Sequence, residues 1–175
     1  MSQHFITKLG ERPNFNDILR LSELIKPSPK FVGKSASNLV TCHPLLIVLF
    51  NEVVEVMDCS ILEGHRGKEA QDAAFNAVPK RSEVQWPNGK HNGIPSLAVD
   101  AQPHPLKLDG SGKAKLEQFW VFGGVVIGIA AKLGIKVRWG RDWDSDFDFD
   151  DQTFNDFYHW ELITGEKNAG PAKGP

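Results

Sequence analysis

The sequence lacks the features typical of secreted disulfide-rich proteins and of nucleic-acid-binding proteins. Only two of its 175 residues are cysteines, and both Cys42 and Cys59 lie in apolar runs rather than at the spacings of disulfide frameworks or thiolate metal sites. We therefore expect both cysteines to be reduced core residues. The net charge of -2 lacks the strong positive balance that favours nucleic-acid partners, so none is predicted.

Long apolar runs are also scarce. No segment has the uninterrupted apolar length of a membrane helix, about 20 residues, so membrane insertion is not predicted. The first residues contain no apolar segment after a basic one, which favours a protein made and kept in the cytosol. A length of 175 residues, with 41% hydrophobic and 24% charged residues, fits one soluble globular domain rather than two.

Hydrophobic periodicity predicts a mixture of helices and short strands. Helices are expected at residues 14–25, 43–57, 67–77 and 115–133, and strands at 58–62, 97–101, 135–139 and 157–163. Because these elements follow no regular βαβ order, we predict an α+β fold with a small antiparallel sheet flanked by helices. A lead-in with one short helix would occupy residues 1–36, the folded domain 37–164, and a disordered tail 165–175.

Two histidines and two carboxylates indicate a metal site. His91 precedes a predicted strand that ends near Asp100, and His159 lies three residues after Asp156 at the edge of another predicted strand. Zinc binds imidazole nitrogen and carboxylate oxygen, and catalytic zinc uses three protein ligands with one open position. Each residue alone has an ordinary explanation, such as a cap or an Asx turn. Together they favour a zinc hydrolase.

Several blocks of sequence, in a fixed order, carry a resemblance to a known family. The blocks are His43-Pro44-Leu45-Leu46, Glu63-Gly64-His65-Arg66 followed by Gln71, Lys90-His91-Asn92 through to Asp100, Arg138-Trp139-Gly140 with Asp142-Trp143, and Asp151 through His159 to Leu162. This arrangement resembles the zinc D-Ala-D-Ala carboxypeptidases and L-alanyl-D-glutamate endopeptidases of bacterial cell walls, including many bacteriophage endolysins. The resemblance covers about residues 38–164 and implies a single zinc-peptidase domain.

The resemblance implies a role for each residue of the candidate site. His91, Asp100 and His159 would bind one zinc ion. Asp156 would be the general base that takes a proton from the attacking water and returns it to the leaving amine. Arg66 would bind the developing oxyanion or a substrate carboxylate, because its guanidinium stays charged and offers a planar fork of donors.

Other positions are expected to shape the substrate pocket. Gln71, Tyr158 and Trp160 are candidate substrate contacts, and Trp160 is expected to enlarge the apolar pocket wall. The sequence departs from the family where a serine often precedes the first histidine by two residues, since Gly89 stands there. An aromatic residue often precedes the arginine, and His65 in that place is predicted to be a small core aromatic.

The function that the resemblance implies is a monomeric phage-type endolysin. It would hydrolyse the L-Ala-D-Glu bond of peptidoglycan stem peptides and so lyse the cell. The protein would be made in the host bacterial cytoplasm and reach the wall after a holin-type partner opens the membrane. Two alternatives stay open: a D,D-carboxypeptidase that removes terminal D-Ala, and a non-catalytic zinc module that binds the wall.

The acidic loop at residues 142–151 is a second candidate ion site. Its alternating carboxylates suit calcium, which would bind between Asp144 and Asp151. The spacing begins like an EF-hand loop, but Phe149 occupies the position that needs glycine and no glutamate follows at the twelfth position. We therefore expect a solvated acidic loop, with calcium as the alternative.

Overall fold

The structure is a computed structural model that describes residues 30–164. The predicted helix at 14–25 and the predicted tail at 165–175 lie outside the described residues. The elements, in chain order, are α1 (Gly33–Leu39), α2 (Pro44–Val56), β1 (Cys59–Glu63), α3 (Lys68–Phe75), a 3-10 turn (Lys90–Asn92), β2 (Ala98–Pro103), α4 (Leu116–Leu133), β3 (Val137–Trp139) and β4 (His159–Leu162). The predicted α+β class is confirmed.

The four strands form one antiparallel sheet in the order β1-β2-β4-β3. The pairing of β2 with β4 sets Asp100 directly opposite His159. The pairing of β3 with β4 sets Arg138 opposite Glu161. Since side chains two apart on a strand share a face, His159 and Glu161 point to the same side of the sheet as their partners. The register therefore concentrates charged side chains on one face.

The core lies on the other face of the sheet, where α2 packs against α4. Pro44 begins α2, as its fixed φ favours, and the His43 ring accepts a hydrogen bond from the Leu45 amide. The buried positions of α2 recur with helical spacing: Leu46, Leu49, Phe50, Val53 and Val54. Each such side chain contributes about 1.5–3 kcal/mol by leaving water. This apolar stripe anchors the sheet that carries the site.

Helix α4 is apolar on nearly every side. By length and composition alone it could cross a membrane, although Glu117 and Lys132 interrupt its apolar run. In this fold α4 packs against α2 and the sheet, burying Phe119, Phe122 and Val126. Gly123 lets Trp139 pack closely, because an added Cβ would lie 2.8 Å from the indole ring. The next residue, Gly124, has no neighbour within 4 Å of such a Cβ.

Helix α1 was not expected from the sequence, and the predicted boundary between residues 36 and 37 falls inside it. Its sequence, GKSASNL, carries little apolar periodicity, so tertiary contacts rather than a hydrophobic stripe hold it. Asn38 Nδ2 donates to the carbonyls of Ile61 (3.0 Å) and Leu62 (2.7 Å), and Ser35 Oγ accepts from the Ile61 amide. Helix α1 thus covers the free edge of β1.

Both cysteines are free and buried, in agreement with the expectation of reduced core thiols. Burial raises the pKa of Cys42 to about 11 and that of Cys59 to about 12. The thiols therefore stay protonated near neutral pH and behave as small apolar side chains.

Candidate metal centre and catalytic cleft

Three of the predicted site residues meet at one point above the sheet. His91 comes from the 3-10 turn, Asp100 from β2 and His159 from β4. The Nε2 atom of His91 lies 3.1 Å from Asp100 Oδ1 and 3.2 Å from His159 Nδ1. His159 Nδ1 lies 3.3 Å from the same Asp100 oxygen. The three atoms form a nearly equilateral triangle.

The partners on the far side of each imidazole determine which ring nitrogen faces the triangle as an acceptor. His91 Nδ1 lies 2.7 Å from the carbonyl oxygen of Gly64, which can only accept, so this nitrogen is the donor. His159 Nε2 lies 3.1 Å from a carboxylate oxygen of Glu161 and donates in the same way. In the neutral form of each ring, the other nitrogen therefore carries the lone pair and faces the triangle.

Three acceptor atoms at this separation fit a cation. In a tetrahedral zinc site with bonds of about 2.0–2.1 Å, ligand atoms lie about 3.3 Å apart. The donor set of two imidazole nitrogens and one carboxylate oxygen is also one that zinc accepts. The residues present therefore fit a zinc ion, with a fourth position left for water or substrate.

The electrostatics of the triangle follow from burial and close opposite charge. Burial favours the neutral form of Asp100, but the adjacent imidazoles lower the pKa of its carboxyl well below the usual range. Burial likewise opposes the charged form of His159, but Asp100 and Glu161 raise the pKa of its imidazole to about 9. A metal ion that binds Nδ1 of His159 has to displace this proton, so binding releases protons.

Glu161 and Arg138 support the centre from behind, and neither was assigned a role from the sequence. Glu161 accepts from His159 on one oxygen and from Arg138 Nη2 on the other. Arg138 Nη1 also donates to the carbonyl of Trp143 at 3.0 Å. The sequence pointed to Glu161 in part, because His159 and Glu161 are two apart on a predicted strand and so share a face. It did not point to Arg138, because the strand order that brings Arg138 beside Glu161 could not be read from the sequence.

At Gly64 the chain passes close to the C-terminal end of helix α1. A Cβ at this position would overlap Thr41 Oγ1 and the Asn38 carbonyl oxygen. No larger residue fits without moving that backbone. Because the Gly64 carbonyl is the acceptor for His91, this close approach also determines the orientation of a candidate ligand.

Asp156 lies in the loop that enters β4, and Gly140 holds this loop against the end of β3. The Asp156 amide donates to the Gly140 carbonyl at 2.8 Å, and the Gly140 amide donates to the His159 carbonyl at 2.9 Å. A Cβ on Gly140 would overlap the Asp156 carbonyl oxygen. Burial, together with the negative charge of Asp100, raises the pKa of Asp156.

Arg66 lies beside the triangle but is already engaged. Its guanidinium pairs with Glu63, and Nη2 lies 3.2 Å from the second oxygen of Asp100. Nη1 donates weakly to Gln71 Oε1 at 3.4 Å. Arg66 therefore also orients the carboxylate that faces the histidines. The preceding His65 directs its ring at the Gly93 carbonyl, 3.0 Å away, rather than at the metal centre.

The three residues expected to contact substrate occupy different environments in the structure. Gln71 is buried, and its amide holds the loop above it by donating to Ser82 Oγ and the Val84 carbonyl. Tyr158 borders the cleft beside Asp156. Trp160 is fully buried in the core and stacks on Trp139 at an interplanar angle of 3°. The expectation that Trp160 forms a pocket wall is therefore wrong, because strand alternation turns it away from His159.

The loop at residues 79–95 is less superficial than its composition indicates. Ser82, His91 and Asn92 within it are buried. Asn92 Nδ2 donates to the Arg66 carbonyl at 3.0 Å and to Gln71 Oε1 at 3.1 Å. These bonds lock the 3-10 turn that presents His91.

Two cavities meet at the triangle. The larger, of about 680 Å³, extends between the 79–91 loop and the acidic loop. The smaller, of about 380 Å³, extends along α3 towards Tyr158. Asp100 and Asp156 line both cavities, so an extended peptide can pass across the candidate metal position.

The acidic loop brings carboxylates together away from the triangle. Oxygen atoms of Asp142, Asp144 and Asp146 lie within 4.8 Å of one another. Asp142 is buried, and its two oxygens accept the amides of Asp146 (3.1 Å) and Phe147 (3.2 Å). The cluster thus lies in the first half of the predicted acidic loop and includes its first residue, Asp142.

Fold and site together define a class, a small α+β hydrolase with a three-donor cation site in a peptide-sized cleft. A family model described as phage L-alanyl-D-glutamate peptidase matches residues 28–163. The chain belongs to this family. The sequence-based prediction of family and enzyme class, a peptidase of peptidoglycan, is thereby confirmed.

Individual relatives agree with this assignment. The L-alanyl-D-glutamate peptidase of Escherichia phage T5 is 29% identical over 140 residues, covering 77% of this chain and 98% of that protein. The crystal structure of the Serratia marcescens L-Ala D-Glu endopeptidase ChiX superposes with a TM-score of 0.58. It shares 22% identity and covers 78% of this chain and 92% of its own, and this likeness supports the fold.

Proposed function

We propose that this chain is a zinc-dependent endolysin that hydrolyses the L-Ala-D-Glu bond of peptidoglycan stem peptides. The observation that carries the proposal is the convergence of His91 Nε2, Asp100 Oδ1 and His159 Nδ1 at 3.1–3.3 Å. Two imidazole nitrogens and a carboxylate oxygen at these separations match the ligand spacing of a tetrahedral zinc site. The name of the phage T5 relative supports the choice of bond.

The chemistry divides between the cation and two side chains. Zinc bound at the triangle would supply a Lewis acid that polarises the scissile carbonyl and acidifies a water molecule. Asp156 accepts the proton of the attacking water and returns it to the leaving amine. Its raised pKa makes its carboxylate a stronger base. Arg66 stabilises the negative charge that develops on the carbonyl oxygen, while its contact with Asp100 keeps the guanidinium in place.

Zinc titration with matched histidine variants tests the metal site. The purified protein is expected to bind one equivalent of zinc, and His159→Ala is expected to lose at least about 100-fold in zinc affinity, because a ligand of three is removed. His104→Ala is the control, since His104 is exposed and the one hydrogen-bond partner of its ring within residues 30–164 is Ser60, at 3.5 Å. Equal zinc binding by the wild type and His159→Ala would rule out the assigned ligand.

The setting of the reaction is also part of the proposal. The protein acts as a monomer on the cell wall, after synthesis in the host cytoplasm and release by a holin-type partner. Membership of a family of phage peptidases supports this sequence of events. Analytical sedimentation of the purified protein tests whether it is a monomer. Expression with and without a holin tests the route to the wall, because lysis is expected only when the holin is co-expressed.

Calcium at residues 144–151 stays a prediction. The carboxylates of Asp142, Asp144 and Asp146 lie close enough to share an ion, and calcium prefers such oxygen ligands. Isothermal titration with calcium measures it directly. A heat of binding that disappears in Asp144→Asn would support the calcium site. The absence of any heat at millimolar calcium would rule the site out.

A further inference from the structure

The junction of the two cavities contains a second arginine whose charge the site does not use. Four residues line both cavities: Arg66, Arg81, Asp100 and Asp156. Two of them are the carboxylates of the centre, which would repel an anionic group on a substrate. Arg66 is already paired with Glu63 and Asp100. Among residues 30–164, Arg81 is the remaining cationic side chain that lines both cavities.

Arg81 is anchored by its backbone and free at its guanidinium. Its amide donates to the Ala74 carbonyl at 3.0 Å, which ties it to the end of α3. Within residues 30–164, its side chain has no hydrogen bond, ion pair or ring contact. The preceding Lys80 differs, since it pairs with Glu83 at 3.9 Å and lies 4.5 Å from the Phe75 ring centroid.

The proposed substrate offers a matching anion. In a stem peptide D-Glu is joined to the next residue through its side-chain carboxyl, so its α-carboxylate is free. That carboxylate is attached to the carbon that bears the scissile nitrogen, and it therefore enters the junction with the bond to be cut. A guanidinium presents the planar fork of donors that a carboxylate accepts in pairs.

Resting on the proposed function, we propose that Arg81 binds the α-carboxylate of the D-Glu residue. Arg81 thereby makes the enzyme selective for stem peptides with a free carboxylate over those in which this group is amidated. It is a specificity-determining residue rather than a participant in proton transfer. Lys90 lines only the larger cavity and is less suited to a group adjacent to the scissile bond.

Two substrates and two variants test this inference. One synthetic stem peptide carries D-Glu with its free α-carboxylate, and the other carries the α-carboxamide. The wild type is expected to cleave the acid with a kcat/KM roughly 10- to 100-fold above that for the amide, the range of one charge-assisted hydrogen bond. Arg81→Gln is expected to lose this preference by cleaving the acid more slowly, mainly through KM, while its rate on the amide stays the same.

Lys80→Gln is the matched control, because it removes the neighbouring charge of the same loop and should keep the wild-type preference. Arg81→Lys, which retains charge without the fork, should give an intermediate ratio. An equal loss on both substrates, or an unchanged ratio in Arg81→Gln, would overturn the role of Arg81. Failure of the wild type to cut either peptide at the L-Ala-D-Glu bond would instead overturn the proposed function.

Discussion

At the scale of single residues, the proposed mechanism depends on one proton that Asp156 accepts. An asparagine in its place would keep the size of the side chain but could not accept that proton, so Asp156→Asn is expected to lower kcat at least about 100-fold. Zinc content should stay near one equivalent, because Asp156 is not one of the three candidate zinc ligands. Stem-peptide hydrolysis and metal analysis of the same preparation measure both.

Asp109→Asn is a suitable control for that experiment. Asp109 is an exposed carboxylate in the loop between β2 and α4, and it accepts hydrogen bonds from Ser111 and Lys113. Full activity of Asp156→Asn, with zinc bound, would contradict the general-base role.

Glu161 gives a second prediction at this scale. Its carboxylate accepts from His159 Nε2, and such outer partners typically contribute 10- to 100-fold in metal affinity. Glu161→Gln is therefore expected to weaken zinc binding by about that factor, measured by competition with a chromophoric chelator. Glu117→Gln on the exposed side of α4 is the control, and circular dichroism checks that both variants fold. Unchanged zinc affinity in Glu161→Gln would show that the bond to His159 is incidental.

The candidate metal ligands could be proposed from sequence because their chemical type and order are distinctive. The supporting residues could not be proposed in the same way. Glu161 required attention to strand alternation, and Arg138 required the strand order, which depends on long-range pairing rather than on local pattern. The same alternation rule shows why Trp160 faces the core, since it lies between His159 and Glu161 on β4.

At the scale of elements, the close contact of Gly140 with the Asp156 loop predicts a strong effect of one methyl group. Gly140→Ala would drive Cβ into the Asp156 carbonyl oxygen, so the loop must shift. A displacement of about 1 Å near reacting groups can cost about 100-fold in rate, and a loss of at least about 10-fold in kcat/KM is expected. Kinetics on a stem peptide measure it.

Gly124→Ala makes the matched comparison for this change. Gly124 is exposed in α4, with nothing within 4 Å of an added Cβ, so alanine should leave activity unchanged and stabilise the helix by up to about 1 kcal/mol. If Gly140→Ala were as active as Gly124→Ala, the loop would not depend on this contact.

The elements that the sequence predicted well are those with a long apolar stripe. Helices α2 and α4 have one, and the Gly134 cap of α4 adopts the expected positive φ of 68°. Helix α1 does not, because seven mostly polar residues are held by Asn38 and Ser35 across to β1. Its existence depends on tertiary contacts that no local pattern contains.

At the scale of the whole molecule, the fold brings together groups that are far apart in sequence. His91 and His159 are 68 residues apart. The pairing of β2 with β4 sets His159 opposite Asp100, and His91 reaches both from the 3-10 turn before β2. The α+β class could be predicted from the absence of a βαβ rhythm. The sheet order β1-β2-β4-β3 could not, since it depends on long-range strand pairing that no local pattern contains. The ordered sequence blocks shared with the family were enough to identify the candidate site, although the strand order was not known.

The most direct test of the central claim is mass spectrometry of purified peptidoglycan digested by the protein, with and without a chelator. The account predicts fragments with a new amino-terminal D-Glu, their loss on chelation and their return when zinc is added back. Release of free D-Ala would instead indicate a D,D-carboxypeptidase, and wall binding without any product would indicate a non-catalytic module. The same D-Glu fragments at full yield after chelation would contradict the zinc-dependent mechanism.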